Sequence, residues 1–468
     1  MLPNDKNNPL PSSATNTDSP QKKLWLWIGL GVATLVAIGA GVTVGVLVAG
    51  GGNDSSSSPS SSRGEITVPP LESRPTPAPT SPRAAFFSQP ELEAAVDQYL
   101  SDPSGALTEA RYGHPIGNWN VSLVTNFKSL FNGVRNDAAR TFNEDVSQWD
   151  VSRGENFELM FAAAHEFNQP IGRWNVSRAT TVRGMFEEAW EFNADLSAWD
   201  ISNVTDCSFL FNDASVFESD LSAWNTSKVT NMYGMFSSTE RLTSDLSNWD
   251  VSRVTDFTFT FHGALMFNSN LAKWNVSSAT NTRSMFSYTE RFSSDISEWD
   301  VSRVTDFSFM FDSSRVFQSN VANWDVSKAT AMLAMFQDTG PWNLDISNWN
   351  VSGVRDLSFM FFAHPTFNGD LSQWDVSNVE TTRSMFNRSP FNRDISGWQI
   401  RSLTDMFAMF YQATEFSQNL CAWGRLLEEL GRADNITVDN AFDITNCPRD
   451  DKPEMSASPP GPFCFVCS

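Results

Sequence analysis

Phe192–Phe211 reads FNADLSAWDISNVTDCSFLF, and its pattern recurs along most of the chain. Tryptophans mark the copies at Trp119, Trp149, Trp174, Trp199, Trp224, Trp249, Trp274, Trp299, Trp324, Trp349, Trp374, Trp398 and Trp423; the first step is 30 residues, the rest are 25, with a single 24. The shared pattern is F-N-x-D-[LI]-S-x-W-[DN]-[VI]-S-x-[VA]-T-x-x-x-x-[ML]-F. Leu196, Trp199, Ile201 and Val204 fall at offsets 0, 3, 5 and 8, the spacing of a leucine-rich repeat with Trp in the second slot. Trp199 and Ile201 are predicted to share one face of a short strand, with Asp200 on the other. Val229, Met232, Met235 and Phe236 fall at offsets 0, 3, 6 and 7, one stripe of a short α or 3-10 helix. The fold class read from this is α/β: a leucine-rich-repeat-like solenoid of about 13 coils, with short parallel strands and short helices, because a lone copy cannot bury its Trp, Met and Phe while stacked copies can. Parallel strands at ~4.8 Å would make the stack about 60 Å long.

A second period runs through the first. VTDCSFLF (Val204–Phe211), VTDFTFTF (Val254–Phe261), VTDFSFMF (Val304–Phe311) and VRDLSFMF (Val354–Phe361) recur every 50 residues, and VTNMYGMF (Val229–Phe236) and ATNTRSMF (Ala279–Phe286) lie between them. Thr239–Gly263 and Thr289–Ser313 agree at 17 of 25 positions, which points to a pair of coils as the duplicating unit and to alternate packing in alternate coils.

The repeat FNADLSAWDISNVTD resembles the BspA-like leucine-rich-repeat surface proteins, including the Mycoplasma-type lipoprotein repeat of unknown function. The resemblance covers about residues 86–425 and extends to the leader, LEAAVDQYL (Leu92–Leu100) followed by YGHPIGNWNVS. It implies a cell-surface protein used in adhesion or recognition. It implies no reaction and supplies no catalytic residues.

Ahead of the repeats, Leu24–Gly50 is an uncharged apolar run longer than the roughly 20 residues that cross a bilayer, and Trp25 and Trp27 stand at its start. Lys22 and Lys23 precede it and no Lys or Arg follows until Arg63, so the positive-inside rule places the N-terminus in the cytoplasm and the repeats outside. The expected order is a cytoplasmic tail (1–23), one transmembrane helix (24–50), a Ser/Pro-rich stalk (51–83), a capping helix and leader (84–118), the repeats (119–425) and a Cys-containing cap and tail (426–468). Localisation in the plasma membrane as a single-pass protein follows from this reading.

Formal net charge is -22, and residues 1–83 are close to neutral, so the acidity belongs to the repeats. An acidic surface repels phosphate backbones, which excludes nucleic acid as a partner. Calcium, a cationic partner, or an extracellular protein or glycan remain as ligands. Ser88-Gln-Pro-Glu91 is a capping box that opens a helix over Glu91–Leu100 and covers the first coil. Cys207 takes the slot of Met232 and Phe257 and reads as a core residue. Cys421, Cys447, Cys464 and Cys467 suggest two disulfides; of three connectivities we favour Cys421–Cys447 with Cys464–Cys467, and zinc on Cys464-x-x-Cys467 is the rival.

Three residue columns are candidate surfaces. Asp145, Asp195, Asp220, Asp245, Asp295, Asp345, Asp370 and Asp394, with Asn270 and Asn320 in two steps, read as turn caps in preference to a calcium row, since Asn fills the same role. Asp150, Asn175, Asp200, Asn225, Asp250 and their successors follow each Trp on the solvent side. The residue before Trp varies, and Gln148, Arg173, Asn248, Lys273, Glu298, Asn323, Asn348 and Gln373 form the expected ligand face, against the bland reading of a solvated surface. Sequons at Asn53, Asn120, Asn175, Asn203, Asn225, Asn275, Asn350, Asn387 and Asn435 would carry glycans in a eukaryotic secretory pathway, and some would crowd that face. His114, His165, His262 and His364 form no metal-spaced pair, and no nucleophile elbow or P-loop occurs, so an enzyme is not expected and no cofactor is implied.

Overall fold

The computed structural model describes residues 84–102, 104, 109–342 and 344–467. The transmembrane helix, cytoplasmic tail and stalk expected over residues 1–83 lie outside the described residues. Among the described residues, no helix is long and apolar enough to cross a membrane.

Each coil begins with two tight turns in tandem. Asp195 accepts the Ser197 N–H at 2.9 Å and Asp200 accepts the Ser202 N–H at 3.0 Å, the Asx-turn geometry. Behind each, a backbone bond closes the turn: Trp199 N–H to Leu196 O (3.0 Å) and Val204 N–H to Ile201 O (2.8 Å). These turns aim Leu196, Trp199, Ile201 and Val204 inward, where all four are buried. The strand expected at Trp199–Ile201 therefore does not form. The Trp199 N–H closes one turn and the Ile201 carbonyl and Asp200 side chain close the next, and short Asp and Ser side chains make that competition favourable.

The second half of the coil carries the lateral bonds. Isolated parallel bridges run Asn156↔Thr181↔Asp206↔Asn231↔Asp256↔Asn281↔Asp306, one per coil, inside the stretch expected to be helical. From Cys207 onward, alternate N–H groups serve different purposes. Cys207, Phe209, Phe211 and Asp213 donate to the carbonyls of Asn231, Tyr233, Met235 and Ser237 in the next coil (2.8–3.1 Å). Leu210, Asn212 and Ala214 instead close turns on Cys207, Phe209 and Phe211 (3.0–3.2 Å). From Leu159 and Ala163 onward two residues per coil are left-handed, as in Phe209 and Asp213 (φ 57 for both), and a single such residue stops a helix. The expected alternation of strand and short helix is thus replaced by nested turns, with one bridge and a comb of lateral bonds.

Aromatic columns fill the interior. Phe186, Phe211, Phe236 and Phe261 stack coil upon coil at 5.7–5.8 Å with planes within 12°. A second column, Phe192 and Phe217 among its members, lies against the first, with Phe211 and Phe217 3.9 Å apart. The tryptophans do more than fill space. Trp274 Nε1–H donates to the Leu246 carbonyl of the preceding coil (2.9 Å), and Trp249 and Trp299 do the same to Leu221 and Leu271 (3.0 Å each). A buried Trp with its N–H satisfied suits a largely apolar interior that still holds backbone carbonyls.

The ends are covered by different means. Helix α1 (Gln89–Ser101) is capped by Ser88 and lays Leu92, Ala95, Val96 and Tyr99 over the first coil; Tyr99 meets Trp119 edge-on at 5.6 Å and donates to Glu144 (2.7 Å). A short helix α2 (Glu109–Tyr112) follows. At the far end, α3 (Cys421–Glu429) replaces the turns of the last Trp-bearing copy. The stack then continues past the boundary at 425 set by the tryptophans. Thr437 bridges Asp405, and Met406, Ala408, Phe410 and Gln412 donate to Thr437, Asp439, Ala441 and Asp443 (2.9–3.0 Å). This last half-coil has no Trp, so the Trp count misses it.

The cap closes with two disulfides, Cys421–Cys467 (Cα–Cα 5.3 Å) and Cys447–Cys464 (4.9 Å), a different pairing from the one favoured on sequence. The tail doubles back: Glu454 bridges Gly461 antiparallel, and Leu420 N–H donates to Phe463 O (3.2 Å). That return brings the last cysteine onto the start of α3, while buried Cys464 meets Cys447. With all four sulfurs in disulfides, zinc has no thiolates to bind here. Cys207 is a free thiol, fully buried in the core.

Candidate interaction surfaces

The Asx-turn half forms a polar face. Asp145, Asp195, Asp220, Asp245, Asp295, Asp345, Asp370 and Asp394 are all exposed, and each accepts the N–H two residues on at 2.8–3.1 Å. Asn270 and Asn320 make the same bond to Ala272 and Ala322 (3.1 and 3.0 Å), so the site needs a carbonyl oxygen and not a charge. Hydrogen bonds from the Ser197 hydroxyl and N–H hold the Asp195 carboxyl below its ordinary value. At Asp220 the Ser222 N–H and hydroxyl also lower it, and outweigh repulsion from Asp195 and Asp245. Among the described residues, no group of three or more His, Cys, Asp or Glu side chains is placed to hold a metal ion.

The column after Trp repeats this chemistry. Asn175, Asn225, Asn275 and Asn350 are exposed, and each accepts both the N–H (3.1–3.2 Å) and the hydroxyl (2.7 Å) of the serine two residues on. Gln148, Arg173, Asn248, Lys273, Glu298, Asn323, Asn348 and Gln373 are exposed beside them. Of the sequon asparagines, Asn120, Asn203 and Asn435 are also exposed, Asn387 is buried, and Asn53 lies outside the described residues. An exposed Thr column completes the face: Thr205, Thr230, Thr280 and Thr305 each donate their hydroxyl to the carbonyl of the residue at the same position one coil earlier (3.1–3.3 Å).

The left-handed half forms a second face, which pattern-reading for a strand did not identify. One column reads Phe209, Gly234, Phe259, Ser284, Phe309, Ala334, Phe359, Ser384; its neighbour reads Ser208, Tyr233, Thr258, Arg283, Ser308, Leu333, Ser358, Arg383. Large and small residues alternate in both columns, out of phase. The reason is steric. A Cβ on Gly234 would stand 2.9 Å from the Phe209 ring, so the ring of one coil occupies the side-chain space of the next. The large members meet in a zigzag: Arg183 over Phe209 (5.7 Å), Phe209 against Tyr233 (4.9 Å), Tyr233 against Phe259 (5.8 Å), Arg283 over Phe309 (5.1 Å) and Arg383 over Phe407 (4.5 Å). Phe209, Tyr233, Phe259, Phe309, Phe359 and Phe407 are half-buried, so a broken aromatic stripe reaches solvent. The signal that points to it is the 50-residue period.

The left-handed half also buries polar side chains. Asp312 is buried and accepts from Ser313 Oγ (3.0 Å) and Gln337 Nε2 (3.1 Å); burial pushes its carboxyl up to about 7, with repulsion from Asp338 adding to the rise. Burial depresses His262 and His364 to about 4.

A family model described as "Mycoplasma protein of unknown function, DUF285" matches residues 104–224, 205–324, 270–364 and 305–423. The chain belongs to this family. The DUF285 matches overlap one another and cover the Trp-bearing coils through Trp423, as expected when a model of several repeats can settle at more than one register on an array. The comparison with curated proteins found no match.

Proposed function

We propose that this DUF285 member is a cell-surface adhesion or recognition protein that holds a leucine-rich-repeat-like solenoid of the BspA-like kind outside the cell on a single membrane span. The observation that carries the reading is the capped stack of coils, whose side chains line up in columns that repeat every coil or every second coil along its length. Such a surface suits an extended or multivalent ligand, an extracellular protein or glycan, better than a small molecule. Two disulfides in the cap support an oxidising compartment. The uncharged run Leu24–Gly50 and the Ser/Pro-rich segment after it supply an anchor and a stalk. Exposed sequons on the Asx face fit a glycosylated ectodomain, and the acidic surface disfavours nucleic acid. No reaction is assigned to it, and calcium is held only as a candidate counter-ion for its exposed acidic columns.

Protease applied to intact cells tests the topology: it should remove the array and leave Met1–Gly50 in the membrane, and protected repeats would invert the orientation. Loss of cell or matrix binding on deletion tests the role. A deletion strain that adheres normally, with no ligand found for the array, would favour the alternative of a wall or coat component without a specific ligand. The same alternative is favoured if variation among natural copies scatters at random instead of concentrating at positions such as Lys273 and Glu298.

A further inference from the structure

We infer that the half-exposed aromatic stripe of the left-handed face is a docking track for a linear, uncharged polysaccharide lying along the stack. The inference rests on the surface-recognition reading above and names its ligand class. Among the described residues, the Asx face exposes no large apolar side chain, whereas the stripe offers rings on both sides of its zigzag. Aromatic rings and guanidinium groups are the side chains that concentrate binding energy at surfaces.

The shape of the stripe selects among partners. From Phe209 to Phe407 it spans nine coils, about 40 Å, and it is roughly two side chains wide, so it offers on the order of 300–400 Å². That is well short of the ~800 Å² per partner of a standard protein interface. A long, narrow footprint suits a linear chain. An extended peptide would dock by adding a strand, but the backbone is already engaged: the N–H groups of Phe209, Phe259, Phe309 and Phe359 donate to the next coil at 2.7–2.9 Å. Charge argues against a sulfated chain. Arg283 and Arg383 are already paired with Asp306 (3.6 Å) and Asp405 (3.0 Å), and the surroundings are acidic.

A pyranose ring meets these demands. It has C–H faces that pack on aromatic rings and an equatorial rim of hydroxyls. In the bridge column, half-buried Asp206 and Asp256 each give Oδ1 to a backbone N–H (3.0 and 2.9 Å), which leaves the second carboxylate oxygen to serve that rim. The phenylalanines recur every second coil, about 10 Å apart, a step comparable to two pyranose units in an extended chain.

The test is calorimetric titration of the full chain, in detergent, with β-1,4-linked hexamers of glucose and of N-acetylglucosamine and with a sulfated polysaccharide. A neutral hexamer should bind, and affinity should climb from dimer to tetramer to hexamer. The double variant Phe259→Ala/Phe309→Ala should weaken binding by about tenfold or more. Alanine is chosen because Ala334 and Ala408 hold the same left-handed position elsewhere in the stack (φ 53 for both). Tyr233→Ser, where Ser208 and Thr258 stand in adjacent coils, tests the stripe if the double variant fails to fold. Arg253→Ala/Arg303→Ala, exposed on the Asx face, should leave binding unchanged. Binding of the sulfated chain alone, no loss in the folded stripe variants, or loss in the Asx-face variant instead would each overturn the track. If no saccharide binds while the array still captures cells, the track falls and the recognition reading stands; if cell capture fails as well, both fall.

Discussion

Asp195–Val204 and Thr205–Asp213 are consecutive halves of one coil, yet the first repeats every 25 residues and the second every 50. The first half closes its Asx bonds and turns within the coil, and its links to the neighbours are the same in coil after coil: Trp199 Nε1–H to the Ile171 carbonyl of the preceding coil (3.2 Å) and Leu196 N–H to Ser219 Oγ of the next (3.0 Å) recur 25 residues on at Trp224 and Leu221. Each copy therefore needs only the same short sequence. The second half sends alternate N–H groups to the next coil, and its side chains must share space there. Phe209 occupies the room a side chain on Gly234 would need, so the next coil must be small at that place and large one position earlier. Local bonding sets the short period and lateral packing sets the long one.

Substitutions can separate the two halves. The largest effect should come from the interior they share. Trp274→Ala should cost about 3–5 kcal/mol in urea unfolding, while exposed Lys273→Ala should stay within about 0.5 kcal/mol. Trp274→Phe should still cost about 1–3 kcal/mol, because the Leu246 carbonyl loses its donor. Hydrogen exchange should place the damage in the coils next to Trp274, since coils couple to nearest neighbours. Equal melting of the Ala variants would mean that the tryptophan column is not the core.

A smaller effect separates the halves by pH. In the lateral half, Asp312 has its folded value raised to about 7 from 3.8. Its protonated form is the one that fits, so the stability it contributes is complete below about pH 4 and is lost as pH rises through 7. Asp312→Asn should flatten that slope and stabilise the array at pH 8 by on the order of 2 kcal/mol. In the Asx half the sign reverses. Asp245 is held low by the Ser247 N–H and hydroxyl, so its contribution is present above the ordinary carboxylate value and fades as pH falls through the folded one. The smallest effect is expected there: Asp245→Ala should cost about 1 kcal/mol or less and Asp245→Asn almost nothing, as Asn270 already serves one coil on. A steep loss with Asn in thermal melts would mean that charge, not an acceptor oxygen, is what the turn requires.

Much of this was legible in the sequence, and the parts that were not share a cause. The period, the inward set of Leu196, Trp199, Ile201 and Val204, and the cap at Ser88 follow from spacing and composition. The offsets 0, 3, 5 and 8 fit a strand flanked by turns as well as they fit two Asx turns in tandem, and only the backbone bonds distinguish them. Left-handed geometry at Phe209 has no local signal, because Phe is not a residue that marks such positions. The stripe follows from that geometry, so it was out of reach until the 50-residue alternation was placed on it. The last half-coil lacks the tryptophan that counts coils, and the disulfide pairing depends on a tail that folds back. Both are tertiary facts with no periodic trace.

Coil deletion tests the central claim, that lateral packing works in pairs. Removing Val229–Arg253 takes out one coil and sets Phe259 directly after Phe209; removing Val229–Ser278 takes out two and sets Ser284 there, restoring large against small. Urea unfolding of both deletions in the full chain is the measurement. The shorter protein should unfold at the higher urea concentration, because the single-coil deletion forces two rings into one space at a cost of about 1–3 kcal/mol. If the single-coil deletion is instead as stable as the two-coil deletion or more so, stability simply follows the number of coils, and the paired packing described for Phe209 and Gly234 is not what holds the lateral half together.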